Sequence, residues 1–322
     1  MPLDNPPADV RADVESLRTA LDAAIPPKVL DRNVLVATWN IRHFGRVTEK
    51  WASGAGDSPK RDLRDVLCLA EIVSRFDVVA IQEVRRDLDG LRLLMGALGP
   101  MWGWILTDFT RGDAGDQERM AFVYDTRRVR PSGLAAELVV PIEAVTSLTE
   151  STMQTQFART PYAVSFESCG STFTLVTLHV IWGDGSAARL PEITEIAHWL
   201  ADWAAGGDEF GANLMTLGDF NIDRASDPLY QAFISTGLKP PAELATLPRT
   251  IFDDPTDQHF YDQIAWFSDP SGTSQLLPPL RYSGQGGNFD FRPTLQHALT
   301  TTELSWHISD HYPLWVNFSV RD

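Results

Sequence analysis

Carboxylates, carboxamides and imidazoles recur in this chain at the ends of apolar, strand-like runs. Asn40 closes Val34-Leu35-Val36-Ala37-Thr38-Trp39, and Glu83 closes Val78-Val79-Ala80-Ile81-Gln82. His179 closes Phe173-Thr174-Leu175-Val176-Thr177-Leu178, and Asp219 and Asn221 follow Leu217-Gly218. Ser309-Asp310-His311-Tyr312-Pro313 differs, because it precedes such a run. Hard oxygen donors of this kind hold Mg²⁺. Imidazoles move protons and contact phosphate oxygens. Together they form the set a divalent-metal phosphodiesterase needs.

Each residue also has a plainer reading. Asn40 alone is a turn residue, and Asp219 with Asn221 fits a simple Asx turn. Glu83 could pair with Arg85 or Arg86, since a carboxylate at a buried strand end costs free energy unless it is paired or metal-bound. A lone histidine such as His179 is usually structural. The functional reading gains from accumulation. Period-two alternation would put Asp219 and Asn221 on one side of the chain, and Gly218 permits close backbone approach. Asp310 and His311 can serve as metal ligand and proton carrier. Asp262, in Tyr261-Asp262-Gln263-Ile264, offers a carboxylate to orient an imidazole.

The elements that must position these residues follow from periodicity. Strands are expected over 34–39, 77–82, 103–108, 119–125, 161–167, 172–179, 213–218, 262–267 and 312–320, and helices over 60–75, 87–98, 189–205 and 226–235. Consecutive strands without an intervening helix imply hairpins. The pattern therefore favours two mixed sheets packed together with helices outside over a strictly alternating parallel sheet. Val10, Val14, Leu17, Leu21 and Ile25 predict an amphipathic helix ended by Pro26-Pro27, packed on the domain or used for dimerisation. Stretches 46–60, 108–118 and 268–298 read as surface loops, where substrate contacts concentrate.

Composition bounds the rest. The chain has 322 residues, 43% of them apolar, and a net charge of −16. The charge excludes broad electrostatic adhesion to DNA, which needs clustered Lys and Arg, but not a phosphodiester bound through a metal. No run approaches a membrane helix, and the N-terminus does not read as a signal peptide. The two cysteines, Cys68 and Cys169, are expected as buried free thiols. These features favour a cytoplasmic monomer, with secretion left open.

Longer strings bring out a resemblance. Asn40-Ile41-Arg42-His43-Phe44-Gly45, Phe76 to Arg85, Gln117-Glu118-Arg119, Ala158-Arg159-Thr160-Pro161, Leu178-His179, Gly218-Asp219-Phe220-Asn221, Tyr261-Asp262-Gln263-Ile264 and Ile308 to Pro313 occur in the order found in the endonuclease/exonuclease/phosphatase superfamily. Over roughly residues 33–320 the chain resembles its deoxyribonuclease I-like branch. That likeness implies a four-layered α/β/β/α sandwich at 31–322, preceded by an N-terminal extension at 1–30. It implies Mg²⁺ or Mn²⁺, with Ca²⁺ as a second ion, held by Asn40, Glu83 and Asp310. Asp219 and Asn221 would bind the scissile phosphate and position the nucleophile. His179 and His311 would be catalytic imidazoles partnered by Glu118 and Asp262. Arg42, Arg85 and Arg159 would contact phosphates or shape the site. The implied activity is nicking of DNA with low sequence specificity to leave 5′-phosphates. A phosphatase or lipid phosphodiesterase of the same fold, or a catalytically silent binding module, are the alternatives. Departures from the branch are Asp116 in place of its groove tyrosine, and Arg224 and His259 in place of its cysteines.

Overall fold

The computed structural model describes residues 2–109, 117–138, 159–182, 185–254, 256–295 and 298–321. Among these residues twelve strands form two six-stranded sheets. The first holds β1 (Asn33–Phe44), β2 (Val78–Arg85), β3 (Trp102–Leu106), β4 (Glu118–Asp125), β11 (Arg281–Asn288) and β12 (Leu314–Ser319), in the order β11-β12-β1-β2-β4-β3. The second holds β5 (Arg130–Glu137), β6 (Tyr162–Ser168), β7 (Ser171–His179), β8 (Leu214–Asp219), β9 (Leu238–Lys239) and β10 (Asp262–Phe267), in the order β5-β6-β7-β8-β10-β9. Among the strands of the described residues, only β1 with β2 and β7 with β8 run parallel. Helices α1 (Ala8–Ala24), α2 (Leu63–Val73) and α3 (Asp89–Leu98) accompany the first sheet. Helices α4 (Ser186–Ala205) and α5 (Pro228–Ile234) cover the second, and α6 (Thr301–His307) leads into β12.

The four layers enclose three apolar zones, and the period of two sorts residues among them. Along β1, Val34 and Val36 enter the zone between the sheets, while Leu35, Ala37 and Trp39 face the helices. Val78 and Ala80 of β2, Phe173 and Leu175 of β7, and Met215 and Leu217 of β8 complete the inter-sheet zone with Ile264 and Trp266 of β10. Central strands buried on both faces read as continuous apolar runs, which made them easy to locate.

Three expectations need correction. The stretch 268–298 is not all loop, because β11 lies within it as an edge strand. Its Ser283-Gly284-Gln285-Gly286-Gly287 sequence carries no apolar signal. Glycine is required where β11 passes Trp315, since a Cβ on Gly287 would lie 2.8 Å from that ring. Edge strand β5 and the short helix α6 were also missed. β5 alternates exposed and half-buried positions, and α6 is a capped helix of about two turns whose Thr300 side chain accepts from Glu303 N. Finally, Cys68 is buried but Cys169 is exposed at the β6–β7 turn; both are free thiols.

The N-terminal helix packs on α2, with Leu17 and Leu21 in the core of the first sheet. Arg18 bonds Glu71, and Arg64 bonds Asp13 at 2.8 Å. Its apolar face is thereby covered within the chain. The capping box of α2, Asp62 with Asp65, fixes where that helix starts. Among the described residues no helix is long and apolar enough to cross a membrane.

Candidate active site

The polar residues of interest extend the inter-sheet rows beyond their apolar part. Val34 and Val36 are followed at the same parity by Thr38 and Asn40, and Val78 and Ala80 by Gln82. Phe173 and Leu175 lead to Thr177 and His179, and Met215 and Leu217 to Asp219. β4 and β10 run antiparallel to their neighbours. Their first residues, Glu118 and Asp262, therefore reach the same edge. The same logic explains why Asp310 and His311 precede a strand: β12 is antiparallel to β1, so its start meets the end of β1. The site is the open end of the gap between the sheets.

A polar layer separates it from the apolar interior. Gln82 Nε2 donates to Thr177 Oγ1 at 2.9 Å across the gap, and Thr38 Oγ1 donates to Gln82 Oε1 at 3.2 Å. Gln82 thus ties the two sheets together directly beneath the site. It was not singled out from sequence, although its parity with Ala80 was the available signal.

Asp219 is the centre. His179 and His311 approach it from different strands, with Nε2 atoms 3.8 and 3.9 Å from Asp219 Oδ2. The same oxygen accepts from Asn40 Nδ2 at 2.9 Å. Register places the residues: Asp219 lies beside His179 on β7 and beside Asp262 on β10. Gly218 makes this possible at φ +141, where a Cβ would fall 2.1 Å from Leu178 O.

The two imidazoles are held differently. His311 Nδ1 lies 2.6 Å from Asp262 Oδ2, and Asp262 is fully buried. Burial opposes a charge on His311, but Asp262, Asp219 and Asp310 outweigh it and raise its pKa well above the ordinary histidine value. His179 Nδ1 lies 3.2 Å from Glu118 Oε2, off the line of a hydrogen bond. That carboxylate is also engaged by Arg159 Nε at 2.6 Å and Arg85 Nη1 at 3.2 Å. Burial and the nearby Arg159 push the His179 pKa down to about 4. Arg85 and Arg159 thus meet at Glu118 rather than standing as an open basic strip.

The expected metal ligands come from three adjoining segments. Asn40 and Gln82 are parallel-strand partners, which sets Glu83 beside Asn40. Glu83 takes φ +60 at a register shift in β2, a conformation that is costly for a non-glycine residue and marks a re-aimed side chain. Its Oε2 accepts from His43 N at 2.8 Å. Ser309 Oγ donates to Asn40 O at 2.6 Å and brings Asp310 alongside. Asn40 Oδ1 is buried without a hydrogen-bond partner, and a buried acceptor of this kind calls for a cation or a donor. The set is all oxygen, which suits Mg²⁺ or Mn²⁺.

Arg42 lies 3.4 Å from Asp310, donates to Ser305 Oγ at 2.7 Å and stacks over Trp306 at 3.8 Å. Asn221 departs from expectation. β8 ends at Asp219, whose Oδ1 accepts from Asn221 N at 2.9 Å, so the plainer Asx turn is realised here. Asn221 adopts φ +49 and its side chain donates to Val180 O at 2.6 Å. It buttresses the strand end after His179. Position Asp116, where the groove tyrosine was compared, lies outside the described residues.

Two buried arginines were also missed, and no sequence signal marks them. Arg61 donates to Arg42 O and Ile308 O at 2.8 Å each and to His307 O at 2.9 Å. Arg249 donates to Asp262 O at 2.7 Å. Asp62, Asp65 and His307 bring ligand atoms within 4.8 Å of one another. Asp62 caps Asp65 N and Ser53 N, and His307 Nδ1 lies 2.7 Å from Asp65 Oδ2. The trio locks α2 against α6.

Residues 37–311 match the Endonuclease/Exonuclease/phosphatase family. The chain belongs to this family. A deoxyribonuclease of Thioalkalivibrio sp. (strain K90mix) is 29% identical over 204 residues, 61% of this chain and 48% of that protein. The chain thus spans about half the length of that relative. Among solved structures, Danio rerio TDP2 humanized by 14 mutations aligns with TM-score 0.58 and 14% identity, over 89% of this chain and 98% of that one. A mannosyl-6-phosphatase of Bacteroides thetaiotaomicron VPI-5482 aligns with TM-score 0.54 and 19% identity, over 88% and 99%. A functionally unknown conserved protein of Enterococcus faecalis V583 gives 0.57 and 17%, over 89% and 100%. These structures share the four-layered fold. The family, by its description, comprises nucleases and phosphatases, both of which cleave phosphoester bonds.

The three aromatics of 282–291 form no exposed hairpin, because Phe289 and Phe291 are buried and Tyr282 packs on Trp266 and Phe318.

Proposed function

We propose that the protein is a divalent-metal-dependent phosphodiesterase, an endonuclease that nicks DNA with low sequence specificity and leaves 5′-phosphates. The observation that carries this is the convergence of two imidazoles, one of them held by Asp262, and one carboxamide on Asp219. Asn40, Glu83 and Asp310 would hold the metal, which supplies charge neutralisation at the phosphate and at the departing oxygen. Asp219 accepts a hydrogen bond from the attacking water and holds it in line with the phosphorus. With Nδ1–H turned to Glu118, His179 presents Nε2 as an acceptor on that water. His311, kept charged by Asp262, donates from Nε2 to a phosphate oxygen. A P–O bond to the 3′-oxygen breaks as the water oxygen bonds to phosphorus. The water proton passes to the base, and the departing oxygen takes up a proton to become a 3′-hydroxyl. Phosphate contacts carry no base information, which supports low sequence specificity.

The test is relaxation of supercoiled plasmid with Mg²⁺, Mn²⁺ or excess EDTA, followed by end analysis of the nicks. Metal-dependent nicking with 5′-phosphate ends is expected. Undiminished nicking in EDTA, or 3′-phosphate ends, would contradict the assignment. Inert DNA beside rapid turnover of sugar phosphates would transfer it to phosphomonoesters.

A further inference from the structure

We infer that two exposed tryptophans on the rim, Trp182 and Trp306, are stacking platforms for unpaired nucleobases beside the scissile phosphate, so that single-stranded nucleic acid is the preferred substrate. This rests on the nuclease assignment above.

Both rings remain open to solvent, Trp182 at 56% and Trp306 at 41% exposure, and both are anchored to the site. Trp182 meets Tyr261 edge-on at 5.4 Å between ring centroids, and Tyr261 lies 6.0 Å from the His311 ring. Arg189 stands 5.2 Å over Trp182 and is itself fastened to Asp223 at 2.7 Å. On the side of the first sheet, the Arg42 guanidinium lies 3.8 Å over Trp306, and the same guanidinium is 3.4 Å from Asp310. Trp182 is thus held by Tyr261 and Arg189, and Trp306 by Arg42 and by His43, whose ring centroid lies 5.5 Å away, while much of each indole is uncovered.

Fixed, exposed indoles beside a phosphodiester site match base stacking, which tolerates any sequence because every base has a π face. The charge balance favours this source of affinity. A chain of net charge −16 cannot hold a polyanion by a broad basic surface. The nearby arginines, moreover, are largely paired with Glu118, Asp310 and Asp223. Within a duplex both faces of each base are already covered by its neighbours, so a base must be unstacked before it can meet an indole. A single strand avoids that cost.

The experiment measures binding in EDTA, by anisotropy, of a labelled thymidine oligomer of about 12 nucleotides, within the site size of small single-strand binders. A duplex and an oligomer with abasic residues are the comparisons. The wild type should prefer the thymidine oligomer, and its indole emission should be quenched on binding. Trp182→Ala and Trp306→Ala should each weaken binding about tenfold or more. Trp182→Phe should recover most of it, which separates stacking from a folding defect. The abasic oligomer should bind the wild type as weakly as the alanine variants bind the thymidine oligomer. Unchanged affinity in both alanine variants, equal binding of the abasic oligomer, or no binding of any DNA would overturn the inference. Cleavage of the same strands is followed with Mg²⁺. Tryptophan-dependent binding without cleavage would refute the nuclease assignment alone, and cleavage indifferent to both tryptophans would refute stacking alone.

Discussion

Replacing Asp262 by Asn removes one negative charge 2.6 Å from His311 Nδ1 and leaves the surrounding shape intact. Asp262 is fully buried, so water cannot take over its role. A hydrogen bond to a charged partner contributes about 1.5–3 kcal/mol. With the Asp262 charge gone, burial opposes the proton with less to offset it, and the His311 pKa should fall in Asp262→Asn. An imidazole that must carry a proton would then be charged over a narrower range of pH. Loss of that role should lower kcat by about 10²-fold or more near neutral pH. The alkaline limb of the pH–rate profile should move to lower pH. The Arg249 guanidinium bonds the main-chain carbonyl of Asp262, which the substitution does not touch. The melting temperature should therefore change by only about a few degrees. The assay is plasmid nicking or oligonucleotide cleavage across pH at saturating Mg²⁺. A variant with wild-type kcat and an unmoved profile would refute the claim that Asp262 keeps His311 charged.

Three further outcomes follow. Asn40→Ala should raise the Mg²⁺ concentration for half-maximal activity by about 10-fold or more, because the buried Oδ1 is lost; an unchanged metal titration would remove Asn40 from the metal site. Gly218→Ala forces a Cβ to 2.1 Å from Leu178 O at positive φ, so stability should drop by about 3 kcal/mol or more; a melting temperature within error of the wild type would show the strand end is looser than described. The last concerns pH and the Asp62–Asp65–His307 lock. Burial with the charge of Asp65 raises Asp62 to about 6, and Asp65 raises His307 despite its burial. Folded values above unfolded ones favour folding below the unfolded pKa, and that gain is lost as pH rises through the folded pKa. The stability difference between wild type and His307→Gln, from urea midpoints, should therefore shrink as pH rises above 6.5. A difference that grows with pH would reverse the assigned sign.

Much of the site was legible because it lies on central strands. Asn40, Glu83, His179 and Asp219 each end an apolar run, and the run fixes both burial and direction. Glu118 needed the family resemblance, and so did the choice of His311 as the partner of Asp262, since an antiparallel strand brings its first residue to the edge where its neighbour ends, and pairing is not written in one strand. Asn221 shows the limit of alternation: Asp219 captures its amide, so the strand stops at Asp219 and a turn, not a period of two, sets where Asn221 lies. Arg61 and Arg249 were invisible, because a buried guanidinium that binds main-chain carbonyls leaves no local pattern. β11 was missed for a related reason, as its glycines answer to Trp315 on the neighbouring strand rather than to any period of their own.

The central claim is that His179 and His311 serve one phosphate through Asp219. A kinetic cycle with His179→Ala, His311→Ala and the double variant, at saturating metal, tests it most directly. Each single variant should lose about 10²-fold or more in kcat. The double variant should lose far less than the product of the two, because both imidazoles act in one transition state. A single variant with near-wild-type kcat, or fully multiplicative losses in the double variant, would contradict the account.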